Sequence, residues 1–153
     1  MDLVSSPSPV PSYGASGGSM PGLTPGLAAR VELQVTDADT AQTLGSGDVP
    51  VLGTPRLLAL CEAATVAATA TRLPPGMTTV GTRVELDHSR PTPLGRTVVA
   101  EARLAKIDGR RLLFEVVARD DATVVAEGRV ERVVLNRRDF LAKALGLTES
   151  DQP

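Results

Sequence analysis

Residues 51–70 read VLGTPRLLALCEAATVAATA, and the reading of this stretch decides the fold. Thr54 is a favourable helix N-cap, and Pro55 fits the first helical position, where a missing N–H costs nothing. Leu57, Leu58, Cys61, Ala64 and Ala68 then recur at helical spacing, with Ala and Val over most of the remaining surface. A helix that is apolar nearly all round is a buried one. LPPG at 73–76 ends it. Glu62 is the anomaly, because Leu58 and Val66 flank it at four-residue spacing and share its stripe. A buried carboxylate would need a partner or would stay protonated. On a flank that meets solvent, it would need neither.

Moving outward, the period switches from helical to two. In MTTVGTRVELDHS, Val80, Val84, Leu86 and His88 share one parity. RTVVAEARLAKI sets Val98, Ala100, Ala102 and Leu104 against Glu101 and Arg103. Asp108-Gly109 is a hairpin signal leading into RRLLFEVVARD, and a turn over 120–123 leads into VVAEGRVERVVLN. Upstream, ARVELQVTD at 29–37 alternates as a half-buried strand. Arg137 to Leu145 reads as a short closing helix. One strand, a buried helix and four strands on short connections predict an α+β domain. Its antiparallel sheet wraps around one long central helix, which is the hotdog architecture. Such a sheet leaves edges, so edge pairing into a homodimer is expected.

Domain boundaries follow from composition. Residues 5–26, SSPSPVPSYGASGGSMPGLTPG, have little to bury, so residues 1–28 read as a disordered tail. The folded domain then spans 29–147, with 148–153 a C-terminal tail. Aromatic residues are only 2% of the chain, so the core must be aliphatic. With 16 basic against 18 acidic residues, no basic stripe marks a nucleic-acid partner. No run reaches the roughly 18 apolar residues that span a bilayer, and the N-terminus lacks a secretory pattern. Cys61 is the single cysteine, so neither an intrachain disulfide nor a cysteine-based metal motif is available. These features point to a cytoplasmic protein with no metal, no cofactor and no membrane partner.

Several polar residues sit where aliphatic ones are expected. Thr54 reads as a cap when taken alone. His88, the only histidine, falls on the face of Val84 and Leu86, where a hydrogen-bonded core histidine is the plain alternative to a catalyst. Arg132 shares parity with Val124, Val130 and Val134, although a bulge would reverse that assignment. Gly81 weakens a strand interior unless a backbone or a ligand must approach closely. Cys61 reads as packing, since an anionic neighbour raises a thiol's pKa.

Together, the spacing Thr54, Glu62, Gly81, His88 and Arg132 resembles that of the fluoroacetyl-CoA-specific thioesterase family and its hotdog relatives. The words GTPRLLALCEAA, VGTRVELDHSRPTPLG, DGRRLLFEV and AEGRVERVV carry the same likeness from about Gly53 to Phe140. The resemblance implies hydrolysis of an acyl-CoA or acyl-carrier thioester by a catalytic set of Thr54, Glu62 and His88. Gly81 and Arg132 would bind substrate, and coenzyme A would enter only as part of that substrate. Glu62, raised in pKa by burial, would suit a general base, with His88 orienting water or protonating the thiolate. Helix amides beyond Pro55, which has no N–H, would have to serve the oxyanion. The aromatic gate of the fluoroacetate enzyme has no counterpart in GSGDVPVLG, so a different acyl group is expected. Two alternatives stand beside this reading: a non-catalytic binder of acyl or aromatic ligands, and an enoyl thioester hydratase. The hydratase would pair Asp87 with His88, but adjacent strand residues point to opposite faces.

Overall fold

The structure is a computed structural model in which residues 20–147 are described. Five strands form one antiparallel sheet: β1 (Ala28–Gln34), β2 (Met77–His88), β3 (Thr97–Asp108), β4 (Arg111–Asp120) and β5 (Thr123–Asn136). Their spatial order is β1-β3-β4-β5-β2, so β2 is an edge strand. The long helix α2 (Thr54–Thr69) lies against β1, β3 and β4. A single turn of helix, α1 (Ala41–Leu44), precedes it, and α3 (Arg137–Leu145) closes the chain. This is the expected α+β hotdog arrangement.

The alternation read from sequence explains the layers. Val98, Ala100, Ala102 and Leu104 of β3 are fully buried, as are Leu112, Phe114 and Ala118 of β4. From α2, Leu57, Leu60, Cys61, Ala64 and Ala68 enter the same core. Among the described residues, Phe114 is the only aromatic that fills the centre, and small residues on helix and strands let the layers close around it. Fully burying such side chains contributes about 1.5–3 kcal/mol each for the larger ones.

Three expectations change. The helix is not buried all round, because Pro55, Ala59, Ala63, Val66 and Ala67 form an exposed, uncharged stripe. Its N-cap is Gly53, so Thr54 is the first helical residue and its hydroxyl does no capping. The tail boundary at residue 28 also moves. Leu23 is 6% exposed and joins the core, and Gly26 N–H donates to Leu104 O at 2.7 Å. Leu23, with Met20 and Leu27 packed beside it on the core, ties down a Pro/Gly-rich run whose composition averages such anchors away. Residues 1–19 and 148–153 lie outside the described residues. No described helix is long and apolar enough to cross a membrane.

Candidate active site

The start of α2 meets the end of β2. With its hydroxyl released from capping, Thr54 places Oγ1 2.8 Å from Nδ1 of His88. Burial lowers the His88 pKa below the ordinary histidine value, opposed in part by the backbone of Arg90. In the neutral tautomer that carries its proton on Nε2, the ring accepts at Nδ1 from the Thr54 hydroxyl. Its other nitrogen, Nε2, is buried and has no hydrogen-bond partner among the described residues. This is not the satisfied core histidine that parity alone allowed.

An open cavity of about 350 Å³ adjoins the pair. Besides Thr54 and His88, its walls include Ser46, Asp48, Val49 and Arg90, and none of its lining residues is Phe, Tyr or Trp. The first turn of α2 offers this cavity fewer donors than expected. Pro55 has no N–H, and the amides of Arg56 and Leu57 both turn back to Gly53 O at 3.1 Å. The expectation that later helix amides serve an oxyanion is therefore not met, because the chain consumes them itself.

A second cluster forms where the middle of α2 meets the first half of β2. Glu62 Oε2 lies 3.4 Å from Nη1 of Arg132, whose Nε and Nη2 donate to Thr79 Oγ1 at 2.9 Å and Thr79 O at 3.0 Å. Arg132 is 7% exposed, whereas a third of the Glu62 side chain reaches solvent. Burial lowers the Arg132 pKa from its ordinary value, and the Glu62 charge opposes that fall. Glu62 is thus neither a lone buried acid nor a free surface one, but one half of an ion pair. Gly81 explains the pairing geometry: a Cβ there would stand 2.5 Å from Glu62 Oε2. The glycine leaves room for a carboxylate.

A β-bulge between Gly81 and Arg83 sets both clusters on the helix side of β2. Without it, odd-numbered Gly81 and even-numbered His88 would face opposite ways. Sequence reading missed Thr79, which parity without the bulge sent to the other face. Asp87 is exposed and pairs with Glu127, away from the His88 ring.

The five residues do not converge within one chain, contrary to expectation. Thr54 joins His88, and Glu62 joins Gly81 and Arg132. Seven residue steps along β2, roughly 20 Å of strand, separate Gly81 from His88. The reason is the helix, which carries Glu62 about 12 Å along its axis from Thr54. Among the described residues, no three His, Cys, Asp or Glu side chains gather as a metal-ligand group.

Comparison with known proteins bears on this geometry. The model of the fluoroacetyl-CoA-specific thioesterase family matches residues 35–138. A fluoroacetyl-CoA thioesterase from Streptantibioticus cattleyicolor is 38% identical over 93 residues, covering 61% of this chain and 67% of that one. A variant of a fluoroacetyl-CoA thioesterase solved with acetyl-CoA is similar at a TM-score of 0.77 and 29% identity, covering 81% of this chain and 98% of that one. A hot-dog-like protein from Thermanaerovibrio acidaminovorans matches at a TM-score of 0.74 and 26% identity, over 82% of this chain and 93% of that one.

Proposed function

The chain belongs to the fluoroacetyl-CoA-specific thioesterase family, a group of thioester hydrolases, and from that premise we propose that it cleaves acyl-CoA with Thr54 and His88 at the reacting centre. The observation that carries this assignment is the 2.8 Å contact between the Thr54 hydroxyl and a neutral imidazole. The proton leaving the attacking oxygen passes to His88 Nδ1 and is then delivered to the departing thiolate. Attack by Oγ1 itself would leave an acyl ester on Thr54 for a water to cleave. A water held by Oγ1 would give the acid directly. Either way, one water is consumed, and the products are acid and thiol.

Glu62, Gly81 and Arg132 enter through a second copy of the chain. The edge strand β2 and the exposed Ala59, Ala63 and Val66 stripe favour a homodimer. An antiparallel β2–β2 pairing centred midway between residues 81 and 88 would bring the Glu62 end of one copy to the Thr54–His88 end of the other. The carboxylate would then orient water or substrate held across the interface.

The acyl group is short and need not carry fluorine, because the cavity of about 350 Å³ has no Phe, Tyr or Trp in its lining to close over it. The CoA carrier is favoured by the relative bound to acetyl-CoA. A cytoplasmic location belongs to the same proposal, since Cys61 is free and buried and the described fold needs no disulfide. The chemistry as drawn uses only side chains of this protein.

The experiment is a panel of short, branched and aromatic acyl-CoA thioesters, followed by release of free thiol. Turnover of short acyl groups, lost in Thr54→Ala and His88→Ala, is the expected result. Retention of acyl-CoA with no thiol release would make the protein a binder instead.

A further inference from the structure

The Thr54–His88 contact depends on where α2 begins, and one acidic residue holds that point from two sides. Asp39 ends a short 3-10 turn, Asp37–Asp39, and is 8% exposed. Its backbone carbonyl accepts the Gly53 amide at 2.9 Å. Its carboxylate accepts Arg56 Nε at 3.1 Å through Oδ1. Gly53 and Arg56 bracket Thr54 in sequence, so Asp39 grips the chain just before and just after the hydroxyl residue.

The grip is itself fixed. Asp39 Oδ2 accepts from the Thr36 amide at 2.8 Å and the Thr36 hydroxyl at 3.0 Å, which leaves the carboxylate little freedom to turn. Burial pushes the Asp39 pKa up, but the Thr36 donors and Arg56 outweigh it and hold the group below the ordinary aspartate value. Packing supports the same point. A Cβ on Gly53 would meet Leu44 Cδ1 at 2.9 Å and the Ala41 backbone at 3.1 Å. On the opposite side, the Leu52 amide donates to Thr92 O at 2.9 Å, tying the helix start to the segment that follows His88.

We propose that Asp39 and Arg56 are positioning residues that aim the Thr54 hydroxyl at His88. Exposed ion pairs contribute little to stability. This one, with Asp39 mostly covered, acts on geometry: a shift of about 1 Å in a reacting group can cost as much as a hundredfold in rate. The inference rests on reading Thr54 and His88 as the reacting pair, but it can be tested without turnover. His88 is the only histidine, so its ring nitrogens are identified in a 15N spectrum without further assignment.

Arg56→Ala, Arg56→Lys, Asp39→Asn and, as reference, Thr54→Val are compared with the parent protein. In Arg56→Ala and Asp39→Asn, the Nδ1 resonance is expected to move towards its position in Thr54→Val, with Arg56→Lys in between. On a substrate of the parent protein, kcat is expected to fall by about tenfold with KM changed less than about twofold. A lowered Tm with the Nδ1 resonance and kcat both unmoved would overturn the proposal and leave the pair a purely structural tie. If Asp39→Asn fails to fold, the two Arg56 variants decide. Should the parent protein cleave no thioester, the thioesterase reading fails, while the ring resonance still decides the positioning role.

Discussion

The two ends of β2 each bring a polar side chain against the same helix, and they treat it in opposite ways. Near Gly81, the buried cation is well partnered: Arg132 bonds Thr79 twice and faces Glu62, and the glycine removes any steric objection. Near His88, they are left wanting: one hydroxyl–imidazole contact, an unpartnered Nε2, and a cavity alongside. Satisfied buried networks fix a structure, whereas an unsatisfied buried group in a native fold calls for another explanation. Under the proposed function that explanation is chemical: the second end reacts, and the first end holds Glu62 in place for the site of the partner copy.

The strongest way to break this contrast is to remove the reacting end. His88→Ala should lower kcat/KM by about 10²–10⁴-fold, the usual contribution of a positioned acid–base group, and leave the fold intact. Initial rates of thiol release together with a CD melt would check it. A loss of less than about threefold would move the base elsewhere.

Next in size is complementation. Glu62→Gln and His88→Ala, each nearly inactive alone, are mixed, unfolded and refolded together. If each site draws Glu62 from one copy and His88 from the other, half of the dimers are mixed and each keeps one intact site. About a quarter of the parent activity should therefore return. No recovery, with mixed dimers verified by mass spectrometry, would confine each site to a single chain and remove the edge-pairing proposal.

A smaller effect tests the holding end. In Gly81→Ala, the new Cβ meets the tip of a flexible carboxylate, so Glu62 moves while the backbone stays. Activity should fall about tenfold, as for a misplaced catalytic group. Arg132→Met instead leaves Glu62 without its cation. Breaking a fully buried pair costs about 3–5 kcal/mol, but the partial exposure of Glu62 reduces the expected loss to about 1–3 kcal/mol, read from urea melts. Equal loss of stability in both variants would erase the distinction between a glycine that makes room and an arginine that anchors.

How far sequence could carry this contrast follows from the interactions involved. Alternation in residues 97–104 transferred directly, because a strand with one buried face has its register forced by that face. The helix, the hairpin at Gly109 and α3 were legible from local chemistry: a proline in the first turn, a positive-φ glycine, and Asn136 capping Asp139. Sequence reading misses Thr79, since one extra residue in β2 reverses parity; Gly81 in the strand interior is the local signal of that bulge and reads there only as room for a close approach. The Glu62–Arg132 pair joins residues 70 apart in sequence, and the resemblance supplied both without supplying their contact. The Asp39 grip was hidden for a third reason: an Asp and a Thr in a short loop are what any turn contains. What reads poorly is long-range polar contact, because polar side chains have no periodic signature.

Acid titration gives the mildest and most discriminating test of the reacting end. The His88 pKa lies below 6.5 in the folded protein because burial penalises the imidazolium, and the unfolded chain titrates at the ordinary value. Between those two values the unfolded state binds more protons than the folded state, so folding stability rises with pH there. This contribution is complete above about pH 6.5 and is lost as pH falls through the folded pKa. The same ring must be neutral to accept from Thr54. The acid limb of kcat/KM should therefore lie below pH 6.5, at the midpoint found by NMR titration of the single histidine. Glu62 sits with Arg132 at the other end of β2, so Glu62→Gln should lower the plateau of that profile without moving its acid limb. A limb that vanishes in Glu62→Gln would assign the base to the carboxylate and exchange the roles of the two ends.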